Sequence, residues 1–327
     1  MFRFLKRLFL VLVAVAVVAA GLLFLGPREG IERGAPVSIE GRGIAEVLAA
    51  REGAFGDITP GTEARVIWAG EPGTQTPLSI LYLHGFSATS EEIRPVPDNV
   101  AEALGANLIY ARLTGHGRGG DALAAAMANQ WADDAALFLN LARAAGERVL
   151  IMGTSTGATL ASYAMTEPDM AEAVAGIVMV SPNFRVVNPS AVITELAFAR
   201  QIVPLLAGEE RAWDALNEGH GRYWTTRYGT GVLTSLGTLM RETRVRDYSG
   251  VSAPVLAVFS DNDRVVSAAA TRDFLAGWGG AVTLAPQDLP ETGADPFFHV
   301  IAGDILSPAM TGPVTDVILE WANATLP

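Results

Sequence analysis

The chain contains no cysteine. That excludes a cysteine nucleophile, disulfide bridges and cysteine-ligated metal together, and leaves the redox compartment undecided. Lysine occurs once, at Lys6. A phosphate-loop lysine, a Schiff-base lysine and a Ser–Lys dyad are therefore excluded from everything beyond the N-terminal segment. Histidine is also sparse. His84, His116, His220 and His299 are scattered and form no His-x-x-x-His pair, which argues against a zinc protease. Positive charge is short as well: 23 Lys and Arg stand against 35 Asp and Glu, a net charge of −12 with no basic patch. Nucleic acid is therefore not expected as a partner. Internal repeats and low-complexity tracts are missing too.

What the chain has in quantity is apolar sequence. Of its 327 residues, 50% are hydrophobic and 18% charged, enough for one large domain or two small ones. Leu8 to Leu25 is unbroken by any polar side chain and follows Arg3, Lys6 and Arg7. As a helix it spans about 27 Å, close to the hydrocarbon thickness of a bilayer. A cleaved signal peptide has a shorter core ending in a small-x-small site. Here Ala14-Val15-Ala16 lies mid-run, and the run ends Leu22-Leu23-Phe24-Leu25. Residues 1–27 thus read as an uncleaved membrane anchor, with secretion after signal cleavage as the alternative. The tighter basic cluster upstream places the rest of the chain outside the cytoplasm.

Residues 28–61 mix Gly, Pro and charge with short apolar pieces and read as a tether. Beyond it, strand and helix patterns alternate. Apolar strand runs at Glu63–Ala69, Leu78–Leu83, Asn107–Leu113, Arg148–Met152, Gly176–Val180, Pro254–Phe259 and Ala281–Leu284 are separated by helical stretches. One of these, Asn129–Ala145, puts Trp131, Ala135, Phe138 and Leu141 on a single stripe. Such alternation implies a mostly parallel sheet covered on both faces. The rhythm breaks over residues 183–250, which lack a clear buried strand and carry Phe198, Trp213, Tyr223, Trp224 and Tyr228 at irregular spacing. This reads as a mostly helical insertion. The expected division is a core of residues 62–182 and 251–327, with 183–250 as a cap.

The richest stretch is Arg148–Gly157. An apolar strand runs into Gly153-Thr154-Ser155-Thr156-Gly157, and Ala158, Thr159, Leu160, Ala161 and Ser162 continue as a helix. Strand, sharp turn and helix around Gly-x-Ser-x-Gly define a nucleophile elbow, with Ser155 projecting above the sheet. The backbone N–H of Thr156, at the helix start, points where an oxyanion would develop. A serine hydroxyl needs a base, and the base needs an acid to fix its tautomer. In this architecture the order is Ser, acid, His. His220 and His299 follow Ser155; His220 lies in the insertion, whereas His299 follows the last strand, among Phe297, Phe298, Val300 and Ile301. His299 is therefore the expected base. Asp261 and Asp263, after the Pro254–Phe259 strand, both qualify as the acid.

Taken with Leu83-His84-Gly85-Phe86, Gly115-His116-Gly117, Ser260–Val266 and His299-Val300, the chain resembles serine hydrolases of the α/β-hydrolase superfamily. It is similar to the monoacylglycerol-lipase, carboxylesterase and serine-aminopeptidase-like branch over about residues 60–325. The resemblance implies the α/β-hydrolase fold with a helical cap and selects Asp263 as the acid. It adds the Phe86 N–H to that of Thr156 as oxyanion donors, and makes His84 and His116 structural loop residues. It further implies a serine hydrolase working through an acyl-enzyme, with neither metal nor organic cofactor; the apolar, aromatic insertion points to carboxylic esters of short to medium acyl chain or monoacylglycerol-like. An acyltransferase or serine aminopeptidase on the same triad is the alternative, and a non-catalytic binding protein on this fold is the third. The expected partners are an ester substrate and a membrane contacted through residues 8–25.

Overall fold

Strands that alternate their side chains between two faces need a cover on each, and that requirement organises this chain. A computed structural model describes residues 2–35 and 37–326. Seven strands form the main sheet: β1 (Arg65–Ile67), β2 (Thr76–Leu83), β3 (Asn107–Tyr110), β4 (Gly146–Thr154), β5 (Val174–Val180), β8 (Val255–Phe259) and β9 (Val282–Pro286). Their spatial order is β1-β3-β2-β4-β5-β8-β9. Only β1 runs antiparallel, against β3; the other neighbours pair in parallel. A separate two-stranded ribbon joins β6 (Glu210–Ala212) to β7 (Arg227–Gly229).

The period-two pattern sorts the strand side chains into two cores. Leu81, Leu83, Ile151, Ile177, Met179 and Ala257 point to one, and Ile80, Tyr82, Leu150, Met152, Val178 and Leu256 to the other. Helices α2 (Ile44–Glu52), α5 (Ala128–Ala145), α6 (Thr156–Ala164), α10 (Leu233–Arg244) and α11 (Ala268–Leu275) contribute to the first core. Helices α3 (Val96–Leu104) and α12 (Thr311–Thr325) cover the second. Helix α5 carries the expected stripe, with Trp131, Ala135, Phe138 and Leu141 all fully buried. Truncating a phenylalanine at such a site costs about 3–5 kcal/mol. The remaining helices are short, α4 (Gly120–Ala124), α7 (Pro168–Ala171), α8 (Ala199–Ala207) and α9 (Glu218–Tyr223), apart from α1 (Phe2–Leu25).

Two segments differ from the sequence expectation. The stretch read as a tether is folded from Ile44 onward: Ile44, Val47 and Leu48 on α2 are buried in the core. Its last residue, Glu52, meets Arg112 in a buried ion pair, with 3.1 Å from Nη2 to Oε1. Arg51 adds bonds to Glu52 and Asp134, so α2 is locked to the loop after β3 and to α5 by charge as well as packing. The i, i+3, i+4 spacing of Ile44, Val47 and Leu48 was the signal for this helix. Residues 183–250 are mostly helical as expected, but they also contain the β6–β7 ribbon. Tyr228, Val232, Leu236, Leu239 and Met240 of this insertion join the first core.

Candidate active site

The chemistry gathers in the loops that follow the strands. Strand β4 delivers Ser155, and α6 begins at the next residue. Ser155 has φ 52° and ψ −111°, a left-handed backbone that a side-chain-bearing residue adopts only under constraint. Such positions cost about 1–3 kcal/mol and persist where the surroundings hold them. The holding is visible: Ser155 N–H donates to Val180 O at 2.8 Å, and Ser155 O accepts from Ala158 N and Asn183 N. Gly157 lets the helix start approach β2; a Cβ there would lie 1.9 Å from Leu83 O and 2.8 Å from His84 O. That contact brings the start of α6 against the loop His84-Gly85-Phe86.

His299 reaches Ser155 from the loop after β9. Its Nδ1 lies 2.8 Å from Asp263 Oδ2, and its Nε2 lies 3.1 Å from Ser155 Oγ. A carboxylate only accepts, so Nδ1 carries the proton and Nε2 is left to receive the serine O–H. Burial pulls the imidazole pKa down, but the carboxylates of Asp263, Glu92 and Asp295 outweigh it, and the net shift is upward. Asp263 is itself held, since Oδ1 accepts from Val265 N at 2.7 Å and Val266 N at 2.9 Å. Asp261 goes elsewhere. It forms an exposed ion pair with Arg272, with 3.0 Å between Nη2 and Oδ2. Of the two aspartates that the residues alone left open, Asp263 is the one brought to His299.

The other histidines have different partners. His84 Nε2 accepts from Leu113 N at 3.1 Å, so Nδ1 is the protonated nitrogen and donates to Gly85 O at 2.8 Å. Burial drives the His84 pKa down to about 4. His116 is likewise buried, against Phe86, Trp131 and His84, and is depressed well below the usual range by burial and by its His84 neighbour. His220 packs edge-on against Trp224 in the insertion and accepts from Leu216 N. Because Gly85 O is turned to His84, the trans peptide sends the Phe86 N–H the opposite way. Among the described residues neither this N–H nor that of Thr156, at the first position of α6, has a hydrogen-bond partner.

Two side chains that the sequence did not single out, Asp295 and Glu92, shape the site, together with Tyr228, one of the aromatics noted in the insertion. Asp295 Oδ2 accepts from His299 N at 3.0 Å and Val300 N at 2.9 Å, fixing the backbone of the histidine loop. An aspartate opening a turn was its only signal, and a common one. Tyr228 of the insertion packs edge-on to Phe86 with ring centroids 5.4 Å apart, while Thr225 N donates to Ser87 O at 2.7 Å. Glu92 sits buried beneath Gly85, accepting its N–H at 2.7 Å.

The model of the alpha/beta hydrolase family matches residues 80–306, well over half of the sequence, and the chain belongs to that family. Solved structures with the same fold include one from a study of the metagenome-derived lipolytic enzymes LipS and LipT. It is 20% identical with a TM-score of 0.65, and the match covers 82% of this chain and 98% of that one. A monoacylglycerol lipase from Paleococcus ferrophilus is 15% identical with a TM-score of 0.57, over 80% and 98% of the two chains. A soluble variant of monoglyceride lipase from Saccharomyces cerevisiae, in complex with a substrate analog, is 11% identical with a TM-score of 0.58, over 81% and 92%. No curated protein sequence matches the chain.

Proposed function

We propose that the chain is a serine hydrolase that cleaves carboxylic esters, of short to medium acyl chain or monoacylglycerol-like, through Ser155, His299 and Asp263. The observation that carries this reading is the hydrogen-bonded series from Asp263 Oδ2 through His299 to Ser155 Oγ, with the serine on a strained turn. In the proposed cycle His299 Nε2 takes the serine proton as Oγ attacks the ester carbonyl. Asp263 steadies the imidazolium and holds its tautomer. The Phe86 and Thr156 N–H groups take the oxyanion; losing one such donor costs ~3 kcal/mol. His299 then protonates the departing alcohol, and water, activated by the same imidazole, releases the acid and restores Ser155.

The surroundings favour an acyl ester over an amine-bearing peptide. Phe297, Val265 and Val187 are 51%, 36% and 48% exposed. They lie on adjacent segments beside the histidine and acid loops, bonded Arg264 N to Phe297 O and Val187 N to Val265 O. An apolar rim of this kind suits an acyl chain. A free amine needs an unpaired carboxylate; of the insertion's seven, Glu195, Glu210 and Glu242 are paired with Arg244, Arg227 and Arg241, which leaves Glu209, Asp214, Glu218 and Asp247 for the anilide assay below to test. The proposed cap is residues 183–250, which close over the site through Thr225 and Tyr228.

We read α1 as a membrane anchor, with a cleaved signal as the alternative. It is 24 residues long, and its most apolar 18-residue window has a mean hydropathy of 3.1 with none of that window buried. Its last turn meets the cap: Leu23 O accepts from Ala197 N at 3.1 Å, and Glu29 pairs with Arg200. Exposed Leu205 and Leu206 on α8 extend that surface, which suits amphiphilic substrates drawn from a bilayer. The test is a parallel assay of p-nitrophenyl butyrate, a monoacylglycerol and amino-acid anilides. Ester turnover well above anilide turnover is expected; faster anilide cleavage overturns the ester reading in favour of an aminopeptidase.

A further inference from the structure

The loop that carries the Phe86 N–H is held by a group outside the triad. Glu92 lies in the turn before α3 and is 3% exposed. Its Oε2 accepts the Gly85 N–H at 2.7 Å and lies 3.3 Å from the Tyr82 hydroxyl. That hydroxyl in turn lies 3.0 Å from Thr154 Oγ1, one residue before the serine. Oε1 faces the Gly85 Cα so closely that a Cβ there would come within 2.6 Å. The peptide groups before and after Gly85 are thus pinned from two sides, the N–H by Glu92 and the C=O by His84. Little freedom remains in the direction of the next N–H, that of Phe86.

Glu92 also answers to the base. The histidine loop rests on the same turn, where a Cβ on Gly303 would lie 2.6 Å from Ile93 Cα and 2.9 Å from Glu92 O. The titratable groups that act on Glu92 are Tyr82 from β2 and His299 from the loop after β9. Those that act on His299 are Asp263, Glu92 and Asp295. Neighbouring Glu91 is turned away, to Arg65 and Arg94.

We propose that Glu92 is a positioning residue of the proposed ester hydrolysis. Its carboxyl aims the Phe86 N–H at the reaction centre, and its negative charge steadies the imidazolium of His299. This rests on the serine-hydrolase reading given above. Burial pushes the Glu92 carboxyl up to about 7, against the pull of the Gly85 N–H and His299. It therefore ionises in the window in which His299 loses its proton. In the wild-type chain the acid limb of kcat/KM is shared between the two groups, broader than a single titration.

The experiment uses the full chain in detergent or vesicles, with p-nitrophenyl acetate kinetics and fluorophosphonate labelling of Ser155 from pH 5 to 9. Glu92→Gln keeps an acceptor for Gly85 but removes the charge. Its activity above pH 8, where the wild-type carboxyl is charged, should fall a few-fold and by less than that of Glu92→Met, because the charge is lost while the bond that aims the loop survives. Its acid limb should move to lower pH and narrow to one proton, because His299 loses an attracting charge. Glu92→Met removes the acceptor as well; kcat should fall on the order of tenfold at unchanged KM, less than loss of an oxyanion donor itself. A Glu92→Gln limb superimposable on wild type overturns the proposal, and so does a folded Glu92→Met variant with wild-type kcat. Should Glu92→Met fail to fold by its melting curve, the Glu92→Gln limb alone decides. Failure of wild-type Ser155 to label marks failure of the serine reading instead, a result distinct from labelling with an unshifted limb.

Discussion

Two groups of loops carry histidines to the same end of the sheet and treat them in opposite ways. The loops after β2 and β3 bury His84 and His116 among backbone carbonyls, aromatic rings and the guanidinium of Arg112. A proton there would have no anion to meet, and both imidazoles are held neutral. The loop after β9 sets His299 among Asp263, Asp295 and Glu92, and the same side chain is pushed the other way. Burial acts alike on all three. What separates a structural imidazole from a candidate base is the sign of the charge facing it.

The contrast breaks most completely at the serine that only His299 serves. Ser155→Ala should abolish esterase activity with the fold intact, a loss on the order of 10⁶ in kcat by analogy with other triads. Retention of more than a few per cent of turnover would remove Ser155 from the mechanism.

Next comes the charge that distinguishes His299. Asp263→Asn presents the wrong partner to Nδ1–H and should lower kcat by ~10⁴. Asp261→Asn only frees Arg272 on the surface and should leave kcat within about twofold, as exposed ion pairs contribute little. Steady-state kinetics on both variants decide it, and equal losses would move the acid.

The two groups also titrate in different experiments. In the proposed cycle His299 must be neutral to accept the serine proton, and its pKa is raised. The kcat/KM of the wild-type chain should therefore climb with pH through a midpoint above 6.5, the ordinary value. His84 should leave no mark on that profile but should appear in stability. Its folded pKa, about 4, lies below the unfolded value of 6.5, so the unfolded chain binds more protons in between. Stability from His84 is complete above about 6.5 and is lost as pH falls towards 4. Urea unfolding at pH 7, 5.5 and 4.5 should show that decline, and a flat response would refute the neutral assignment.

The buried pair behind these loops offers a pure stability test. Arg112 Nη1 donates to His116 O at 3.2 Å while its fork grips Glu52. Glu52→Ala strands a buried guanidinium and should cost about 3–5 kcal/mol in urea unfolding. Ser155 labelling at 20 °C should be retained where the variant stays folded. The smallest effect is expected at His116→Phe. Its Nε2 has no partner among the described residues, and its ring lies in an aromatic cluster. Activity should hold within about twofold and stability within about 1 kcal/mol, as suits a near-isosteric change.

Much of this was written locally in the chain. The elbow was legible because a strand, a glycine-flanked serine and a helix follow one another without a gap, and each obeys its own periodicity. The two-faced strands and the α5 stripe were legible for the same reason. Helix α2 had a readable stripe, yet its role was hidden, because Glu52 finds Arg112 some 60 positions away. Glu92 was hidden more deeply. In sequence, Glu91-Glu92 reads as an acidic pair at a helix start, and nothing local says that one turns to solvent-facing arginines while the other goes under Gly85.

By itself, then, the sequence determined the α/β class, and it singled out the candidate nucleophile and the short list of its candidate partners, since those follow from backbone propensity and side-chain chemistry within a dozen residues. The tertiary structure alone decided which aspartate meets His299, which histidines stay neutral and which glutamate is buried beside the reaction centre. Those outcomes depend on burial and on charges brought together across the sheet. Coulomb and desolvation energies follow distance in space, which is unrelated to distance along the chain.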